Sequence, residues 1–292
     1  MRHVYDCPMR WADLDLLGHV NNVVYVDYLQ EARVDMLRVH ARDRRADDLA
    51  DGVVVVRHEV EYVRPLEFRF APVRIETWVT QIRAASFTVA YEVVDETPEG
   101  RVVHLRATTV LTPYVFGTAR PRRLTPEERA TLEPFLGEAP TLRGAPDGSR
   151  PEPPPPSAEH FPVRVRWSDV DAYGHVNNVK YFEYLQEARI PLLATFGREL
   201  PGAGVSERSV VARTDVQYRQ PILFNTDPYD CLSWVSRVGD RSLELSSEIR
   251  DGDAVLAQAR VVLVWFDPAA GRSAALPEPV RQAALTRLSR AC

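Results

Sequence analysis

The sequence predicts two consecutive α+β domains that share one order of elements. The first observation is an internal repeat, because residues 10–22 recur as residues 166–178. The second is an apolar stripe at helical spacing after each copy of that segment. The third is the set of four runs rich in β-branched and aromatic residues that follows each stripe. A repeat offset of 156 residues indicates a duplicated domain, since solenoid repeats have periods of about 20–50 residues.

The first predicted helix of each copy begins close to the repeated segment. In the first copy it covers residues 21 to about 39. Its apolar side is formed by Tyr25, Tyr28, Leu29, Ala32 and Met36. Asn21 or Asn22 is the predicted N-cap, because an asparagine side chain can accept hydrogen bonds from the backbone N–H groups of a first helical turn. The loop before the helix therefore places its carboxylates near a helix N-terminus.

The strands predicted around this helix form one mainly antiparallel sheet in each copy. A short strand is expected at 5–11, before the helix. The runs after the helix are 53–63, 73–82, 86–94 and 102–112 in the first copy, and 210–218, 229–238, 242–249 and 255–266 in the second. Tyr62 and Tyr218, and Trp78 and Trp234, lie at the same offset as the repeated segment. Each sheet is expected to bury one face against its helix.

Helix signals and composition set the domain limits. The segment 125–128, Thr-Pro-Glu-Glu, predicts a short helix start with an N-cap and an N3 glutamate. A terminal helix is expected at 278–288. Residues 141–158 are rich in proline and glycine and read as a stiff linker. The predicted domains are therefore 1–140 and 159–292.

Charge and cysteine content exclude several classes of function. A net charge of −5 and a pI near 5.9 disfavour a nucleic-acid partner, which normally meets a basic surface. Cys7, Cys231 and Cys292 occupy unrelated positions in the two copies and suggest neither a disulfide framework nor a zinc site. The N-terminus lacks an apolar signal core, and no run approaches the ~18 apolar residues of a membrane span. We expect a cytoplasmic protein without a membrane partner.

The acidic loop at 13–18 first suggests calcium, because an EF-hand loop also begins with acidic residues two apart and has glycine at its sixth position. The twelfth position should then be a bidentate glutamate. It is Val24 in the first copy and Lys180 in the second. No metal site is therefore predicted.

The other chemistry that suits a carboxylate beside a helix start is acyl transfer. The Asp-x-Asp-x-x-Gly-His-Val-Asn-Asn loop, followed by a Tyr-x-x-Tyr-Leu-x-x-Ala-Arg helix, resembles the hotdog-fold acyl-CoA thioesterases of the 4-hydroxybenzoyl-CoA thioesterase type. The resemblance implies an antiparallel sheet wrapped around a long central helix in each of two tandem domains, as a pseudo-twofold double hotdog. It also implies active sites formed between two such units. Self-association through the hotdog units is possible for such a chain.

The resemblance assigns roles to residues of both loops. The second aspartate, Asp15 or Asp171, is the expected catalytic residue, as general base or as nucleophile. Backbone N–H groups after the loop glycine are expected to polarise the thioester carbonyl, which maps to Gly18, His19, Val20, Gly174, His175 and Val176. Asn22 and Asn178 are expected either to orient substrate or water or to cap the helix. The histidine side chains could assist proton transfer or only pack.

The remaining polar residues of the loop and helix are given structural roles. Asp13 and Asp169 are expected to hold the loop through backbone hydrogen bonds, because one carboxylate suffices for the reaction. The charged helix residues are expected to be solvated or to lie between units: Glu31, Arg33, Glu187 and Arg189. The arginines Arg57, Arg64, Arg213 and Arg219 stay unassigned, although CoA phosphates call for basic groups near the pocket mouth.

The function predicted from the resemblance is hydrolysis of an acyl-CoA to a free carboxylic acid and CoA, without a cofactor. Two alternatives stay open: a hotdog protein that binds acyl-CoA without hydrolysing it, and a thioesterase acting on acyl carrier protein (ACP). A hydratase on the same fold is disfavoured because its histidine-plus-acid pattern is not found. The copies differ at Leu16-Leu17 against Ala172-Tyr173, which allows the two pockets to prefer different acyl groups.

Overall fold

A computed structural model describes residues 1–16, 18–40, 49, 52–144, 153–200, 204–267, 270 and 272–289. The chain divides into two compact units, Met1–Arg143 and Gly144–Cys292. The predicted linker, 141–158, lies partly outside the described residues, so its extent stays a prediction. Leu17 and Cys292, which entered the predictions above, are also outside them.

The first unit is a five-stranded antiparallel sheet packed against one long helix. Its strands are ordered β1-β3-β4-β5-β2, and the helix α1 contacts β1 and β3. The elements are β1 (His3–Cys7), α1 (Val24–His40), β2 (Val53–Tyr62), β3 (Val73–Ile82), β4 (Phe87–Thr97), β5 (Gly100–Val115), β6 (Arg120–Pro121) and α2 (Pro126–Leu132). The short β6 pairs with the end of β5.

The second unit repeats this plan. Its sheet has the antiparallel order β8-β11-β10-β9-β7, and α3 contacts β7 and β9. The elements are β7 (Glu159–Val163), α3 (Lys180–Glu199), α4 (Val205–Arg208), β8 (Ser209–Tyr218), β9 (Tyr229–Val238), β10 (Ser242–Asp251), β11 (Ala254–Asp267), β12 (Arg272–Ser273) and α5 (Glu278–Ser289). One core cluster joins Phe196 of α3, Trp265 of β11 and Val280 of α5.

Most predicted elements are confirmed. The strands predicted at 73–82 and 229–238 have these bounds in the structure, and the others differ by a few residues at their ends. The helix start at Thr125 is also confirmed, with both bonds of its capping box: the Thr125 Oγ1 accepts from the Glu128 N–H at 3.2 Å, and Glu128 accepts from the Thr125 N–H at 2.8 Å. These elements depend on local sequence, which is why the pattern predicts them.

Two local predictions were wrong. The first strand is His3–Cys7, and Trp11–Asp13 forms a 3-10 helix, so the predicted strand at 5–11 ends where Pro8 removes a backbone donor. The asparagines do not cap the long helices either. α1 begins at Val24, and the N-cap of α3 is Val179, without a side-chain cap bond. The asparagine before each helix instead closes a short turn, since Asn21 Oδ1 accepts from the Val23 N–H at 3.3 Å.

The two helix arginines are buried, which excludes the solvated position that was one of two predicted for them. Arg33 is 4% exposed and Arg189 is 8% exposed, whereas Glu31 and Glu187 are exposed as predicted. Arg33 lies four residues after the buried Leu29, so the two residues are neighbours on the same face of the helix. The buried face of α1 therefore includes Arg33 as well as the apolar residues. Its guanidinium contacts the Tyr91 hydroxyl at 3.4 Å. Arg33 and Arg189 are thus part of the packed interior.

Candidate active site

The repeated loop of the first unit is a tight turn that begins at Asp15. The Asp15 N–H donates to the His19 carbonyl at 2.8 Å, and the Gly18 N–H donates to the Asp15 carbonyl at 3.1 Å. An antiparallel bridge between Leu14 and Val20 closes the turn. Gly18 has φ +78°, a left-handed conformation that glycine adopts without steric cost. The glycine of the motif is therefore required by the turn.

The second unit forms the same turn. The Asp171 N–H donates to the His175 carbonyl at 2.8 Å, and the Gly174 N–H donates to the Asp171 carbonyl at 3.1 Å. Gly174 has φ +79°, and Val170 and Val176 form the closing bridge. The two loops therefore have the same hydrogen bonds and the same glycine conformation.

The second aspartate of each loop is half-buried and held by the backbone of its own turn. Asp15 Oδ1 accepts from the His19 N–H at 3.2 Å. Asp171 Oδ1 accepts from the Tyr173 N–H at 2.9 Å and from the His175 N–H at 3.4 Å. These bonds orient the carboxylate, while its partial exposure keeps it accessible to water and substrate.

The first aspartate of each loop is buried, with 2% exposure in both copies. Asp13 Oδ2 accepts from the Arg10 N–H at 2.8 Å and from the Tyr28 hydroxyl at 2.5 Å. Burial and the hydrogen bond to Asp13 raise the pKa of Tyr28 well above its ordinary value, so this phenol stays protonated as the donor. This geometry supports the predicted loop-holding role.

Asp169 has the matching set of partners. Its Oδ2 accepts from the Arg166 N–H at 2.9 Å and from the Tyr184 hydroxyl at 2.7 Å. The long helix therefore fixes the loop through its second tyrosine in both units. The Tyr-x-x-Tyr spacing of the motif thus has a structural reason.

The backbone N–H groups after the loop glycine are largely engaged within the fold. The Val20 N–H donates to the Leu66 carbonyl at 2.9 Å, and the Val176 N–H donates to the Ile222 carbonyl at 2.8 Å. The N–H groups of Gly18 and Gly174 close their turns, as described above. A valine N–H that is bonded in this way cannot also polarise a substrate carbonyl, so the geometry does not support that part of the expectation for Val20 and Val176.

The start of the helix offers a different donor. The Asn22 carbonyl accepts from the Tyr62 hydroxyl at 2.8 Å, and the Asn178 carbonyl accepts from the Tyr218 hydroxyl at 2.9 Å. Across the residues that the structure describes, the N–H of Asn22 has no acceptor. This N–H belongs to the turn that leads into α1, where helix N–H groups carry partial positive charge.

The first tyrosine of each helix was missed as a site residue in the sequence. The Ile222 N–H donates to the Tyr181 hydroxyl oxygen at 2.9 Å, and the rings of Tyr181 and Tyr218 meet edge to face with centroids 4.9 Å apart. Burial chiefly raises the pKa of Tyr181, with a smaller contribution from the charge of Asp171. Burial likewise raises the pKa of Tyr25, and the charge of Asp15 makes a smaller contribution. Each buried phenol therefore lies within electrostatic range of the candidate catalytic carboxylate.

The backbones of both histidines take part in their loops. His19 pairs with Glu67 in an isolated antiparallel bridge, and both His19 and His175 are half-buried. Their predicted side-chain role stays a prediction. Within the described ranges, no group of three or more His, Cys, Asp or Glu side chains is placed to hold a metal ion. No helix in those ranges is long and apolar enough to cross a membrane.

Comparison with known proteins places this loop and helix in a family context. Residues 9–157 and 165–284 match the model of the family described as the thioesterase-like superfamily. Among curated proteins, the long-chain acyl-CoA thioesterase FadM of Escherichia coli (strain K12) is 28% identical over 122 residues, which are 41% of this chain and 92% of FadM. The family model therefore covers both copies.

Two solved structures resemble the chain over nearly its whole length. The putative oleoyl thioesterase from Lactobacillus plantarum has a TM-score of 0.71 at 17% identity and covers 91% of this chain and 97% of its own. The 12:0-ACP thioesterase from Umbellularia californica has a TM-score of 0.66 at 16% identity and covers 90% of this chain and 93% of its own. At these identities the likeness establishes the fold, and the predicted tandem hotdog architecture is confirmed.

Proposed function

The chain belongs to the thioesterase-like superfamily, and from that premise we propose that it hydrolyses an acyl-CoA thioester to a free carboxylic acid and CoA. The observation that carries the proposal is the duplicated loop, in which a half-buried aspartate is oriented beside a helix start in each unit. The FadM relative, a long-chain acyl-CoA thioesterase, supports CoA as the carrier of the acyl group.

Asp15 and Asp171 are the proposed catalytic residues. As a general base, the carboxylate takes a proton from water, and the resulting hydroxide attacks the thioester carbonyl. As a nucleophile, it attacks the carbonyl itself, and water then hydrolyses the acyl–aspartate anhydride. In both routes CoA leaves as its thiolate and is protonated. The orienting bonds from the turn backbone suit both routes, since each needs the carboxylate held toward the carbonyl.

We assign the polarising donor of the first site to the N–H of Asn22. This N–H has no acceptor in the described part of the chain, and it lies in the turn before α1. Asn22 is held in place by the Tyr62 hydroxyl, which donates to the Asn22 carbonyl. A donor that is already oriented costs no reorganisation when negative charge develops on the thioester oxygen. Asn178 occupies the same position in the second unit and is fixed by Tyr218.

Other parts of the proposal concern conditions and partners. We propose that the reaction needs no cofactor, that the protein acts in the cytoplasm, and that it can self-associate through its hotdog units. Cys7 and Cys231 are buried thiols whose pKa values burial raises to about 12, so both stay protonated and unreactive at neutral pH. Such thiols are compatible with a reducing compartment.

The test is thiol release from a panel of acyl-CoAs by the wild type, Asp15→Asn, Asp171→Asn and the double variant. Loss of a general base typically costs about 10²–10⁴ in rate, so the double variant should be inactive while remaining folded. Asp6→Asn and Asp253→Asn are matched controls, because both carboxylates are exposed and lie outside the repeated loops. Equal single losses would indicate two working sites.

The panel also separates the alternatives. Activity that survives in the double variant would contradict the role of the aspartates. Saturable acyl-CoA binding without thiol release would favour a binding protein. Release from acyl-ACP but not from acyl-CoA would assign the carrier protein as substrate, in line with the 12:0-ACP thioesterase among the similar structures.

A further inference from the structure

Two of the five tryptophans are exposed, and they occupy the same position in the two copies. Trp11 is 73% exposed and Trp167 is 76% exposed, whereas Trp78, Trp234 and Trp265 are at most 5% exposed. Each exposed tryptophan lies four residues before its candidate catalytic aspartate. Tryptophan is highly buried on average, so an indole left in solvent twice needs a reason other than core packing.

Each exposed indole is fixed by a phenylalanine without being covered by it. The rings of Trp11 and Phe68 meet edge to face at 5.4 Å and 85°, and those of Trp167 and Phe224 at 5.2 Å and 85°. The edge contact holds the orientation of the indole, while most of its surface remains open. Such an arrangement is suited to stacking with another planar group.

An arginine immediately precedes each exposed tryptophan. Arg10 is tied at one edge, where its Nε donates to Asp13 Oδ1 at 3.0 Å, yet its side chain is 68% exposed. Arg166 is also exposed. We call these residues the aromatic platform: Arg10, Trp11 and Phe68 in the first unit, and Arg166, Trp167 and Phe224 in the second.

Building on the proposed function, we propose that each aromatic platform binds the adenine nucleotide of CoA, with the purine on the indole and a phosphate at the arginine. Purines stack on aromatic side chains, and arginine is the preferred partner of phosphate oxygens. Trp11 lies at most about 14 Å from Asp15 along the chain, counting ~3.3–3.6 Å per extended residue. This short span is compatible with one CoA molecule that places its nucleotide on the platform and its thioester at the aspartate.

The size and openness of the platform favour this ligand over others. A carrier protein would need a surface of about 800 Å² on each partner, which two rings and one arginine do not provide. An acyl chain would need a concave apolar pocket that shields it from water, whereas these rings are open to solvent. A purine with its phosphate matches the platform in shape and charge.

One difference beside the two platforms is a further aromatic ring in the first unit. Phe70 is 97% exposed, with its ring 5.0 Å from that of Phe68. The corresponding position in the second unit is Thr226. The first platform thus offers a third ring for stacking, and we expect it to bind the nucleotide more tightly than the second.

The experiment compares an acyl-CoA with the acyl-pantetheine that carries the same acyl group and lacks the nucleotide. The variants are Trp11→Leu, Trp167→Leu and the double variant, which keep an apolar side chain at an exposed position. We expect a roughly tenfold higher KM for acyl-CoA in the double variant, at the lower end of what base stacking contributes. The kcat, and both constants for acyl-pantetheine, should not change. Leu136→Ala and Ile190→Ala, at 48% and 50% exposure, are the matched controls.

A binding measurement makes the test independent of turnover. Adenosine 3′,5′-bisphosphate should quench the tryptophan fluorescence of the wild type, and the quenching should be lost in the double variant, because the other three tryptophans are buried. Equal KM changes for both substrates, or quenching that persists in the double variant, would overturn the proposal. A KM change for acyl-ACP alone would assign the platform to a carrier protein instead. If no thioester is cleaved, the proposed function fails, while quenching still decides whether the platform binds a nucleotide.

Discussion

Replacing each of the two aspartates of one loop by asparagine should affect a different property of the protein. Asp13→Asn should lower stability, because Asp13 is buried and holds the loop. Asp15→Asn should lower activity with little change in stability, because Asp15 is the proposed catalytic carboxylate and an asparagine oxygen can also accept from the His19 N–H. Comparing the two variants therefore separates holding the loop from catalysis, two roles that the sequence assigned to neighbouring carboxylates.

The expected loss of stability in Asp13→Asn follows from the donors around this carboxylate. Asp13 accepts from the Arg10 N–H, the Arg10 guanidinium and the Tyr28 hydroxyl. An asparagine keeps one oxygen and directs an NH₂ group at the donors around the other. Hydrogen bonds to charged groups contribute about 1.5–3 kcal/mol each, but the Arg10 guanidinium is mostly exposed and its ion pair adds little. We expect a loss of about 2–4 kcal/mol in the free energy of unfolding.

A loss of this size is easily measured. For a unit of 143 residues it corresponds to a fall of roughly 10 °C in Tm. Asp15→Asn should change the free energy of unfolding by less than about 0.5 kcal/mol, since an asparagine oxygen can also accept from the His19 N–H. Its thiol-release activity should fall by about 10²–10⁴.

The assay uses a chain in which only the first site is intact. Both substitutions are made in an Asp171→Asn background, and thermal unfolding and thiol release are measured on the same samples. Asp169→Asn in an Asp15→Asn background repeats the test in the second unit. The reasoning would be refuted if Asp13→Asn abolished activity with an unchanged Tm, or if Asp15→Asn lowered Tm by about 10 °C.

Two further predictions concern the side chains of Tyr62 and Glu76. Tyr62→Phe removes the 2.8 Å bond to the Asn22 carbonyl, so it should cost about 1 kcal/mol of stability and lower kcat by loosening the proposed donor; an unchanged kcat would contradict the donor assignment. Glu76→Gln should destabilise at pH 7 and not at about pH 2. Hydrogen bonding to Arg101, together with Arg2, lowers the pKa of Glu76 to about 2 from 4.5, so its stabilising contribution is present above about pH 4.5 and lost as the pH falls toward 2. Chemical denaturation at both pH values measures this, and an equal difference at both would contradict it.

The sequence predicted the elements whose signals are local. The strand Val73–Ile82 follows Pro72, and its copy Tyr229–Val238 follows Pro228, so a breaker and a β-rich run define each start. The first strand was placed too far along the chain, since it is His3–Cys7 and ends before Pro8. Trp11 lies instead in the 3-10 helix that follows, where Asp13 accepts from the Arg10 N–H.

Residue type was a poor guide to the exposure of the two helix arginines, because tertiary packing decides whether they are buried. Arg33 and Arg189 were expected to be solvated or to lie between units, as is usual for arginine, which is seldom fully buried. Their spacing on the helix, four residues after Leu29 and Leu185, was the better guide to the side they occupy. The spacing of a charged residue from the buried apolar residues of a helix can therefore predict its burial even where its residue type suggests exposure.

In the candidate site, too, the local contacts could be predicted from the sequence and the contacts between distant residues could not. The turn from Asp15 to His19 involves neighbouring residues and could be read from its motif, whereas the Val20 bond to Leu66 and the Tyr62 bond to Asn22 join residues at least 40 positions apart. That distance explains why the sequence could not show that the Val20 N–H is already bonded within the fold. The fold explains the glycines, the first aspartates and the tyrosines of both motifs through bonds that hold the chain. For the second aspartates, an asparagine oxygen could accept from the same turn N–H groups, and we propose catalysis as the reason that both copies have a carboxylate there.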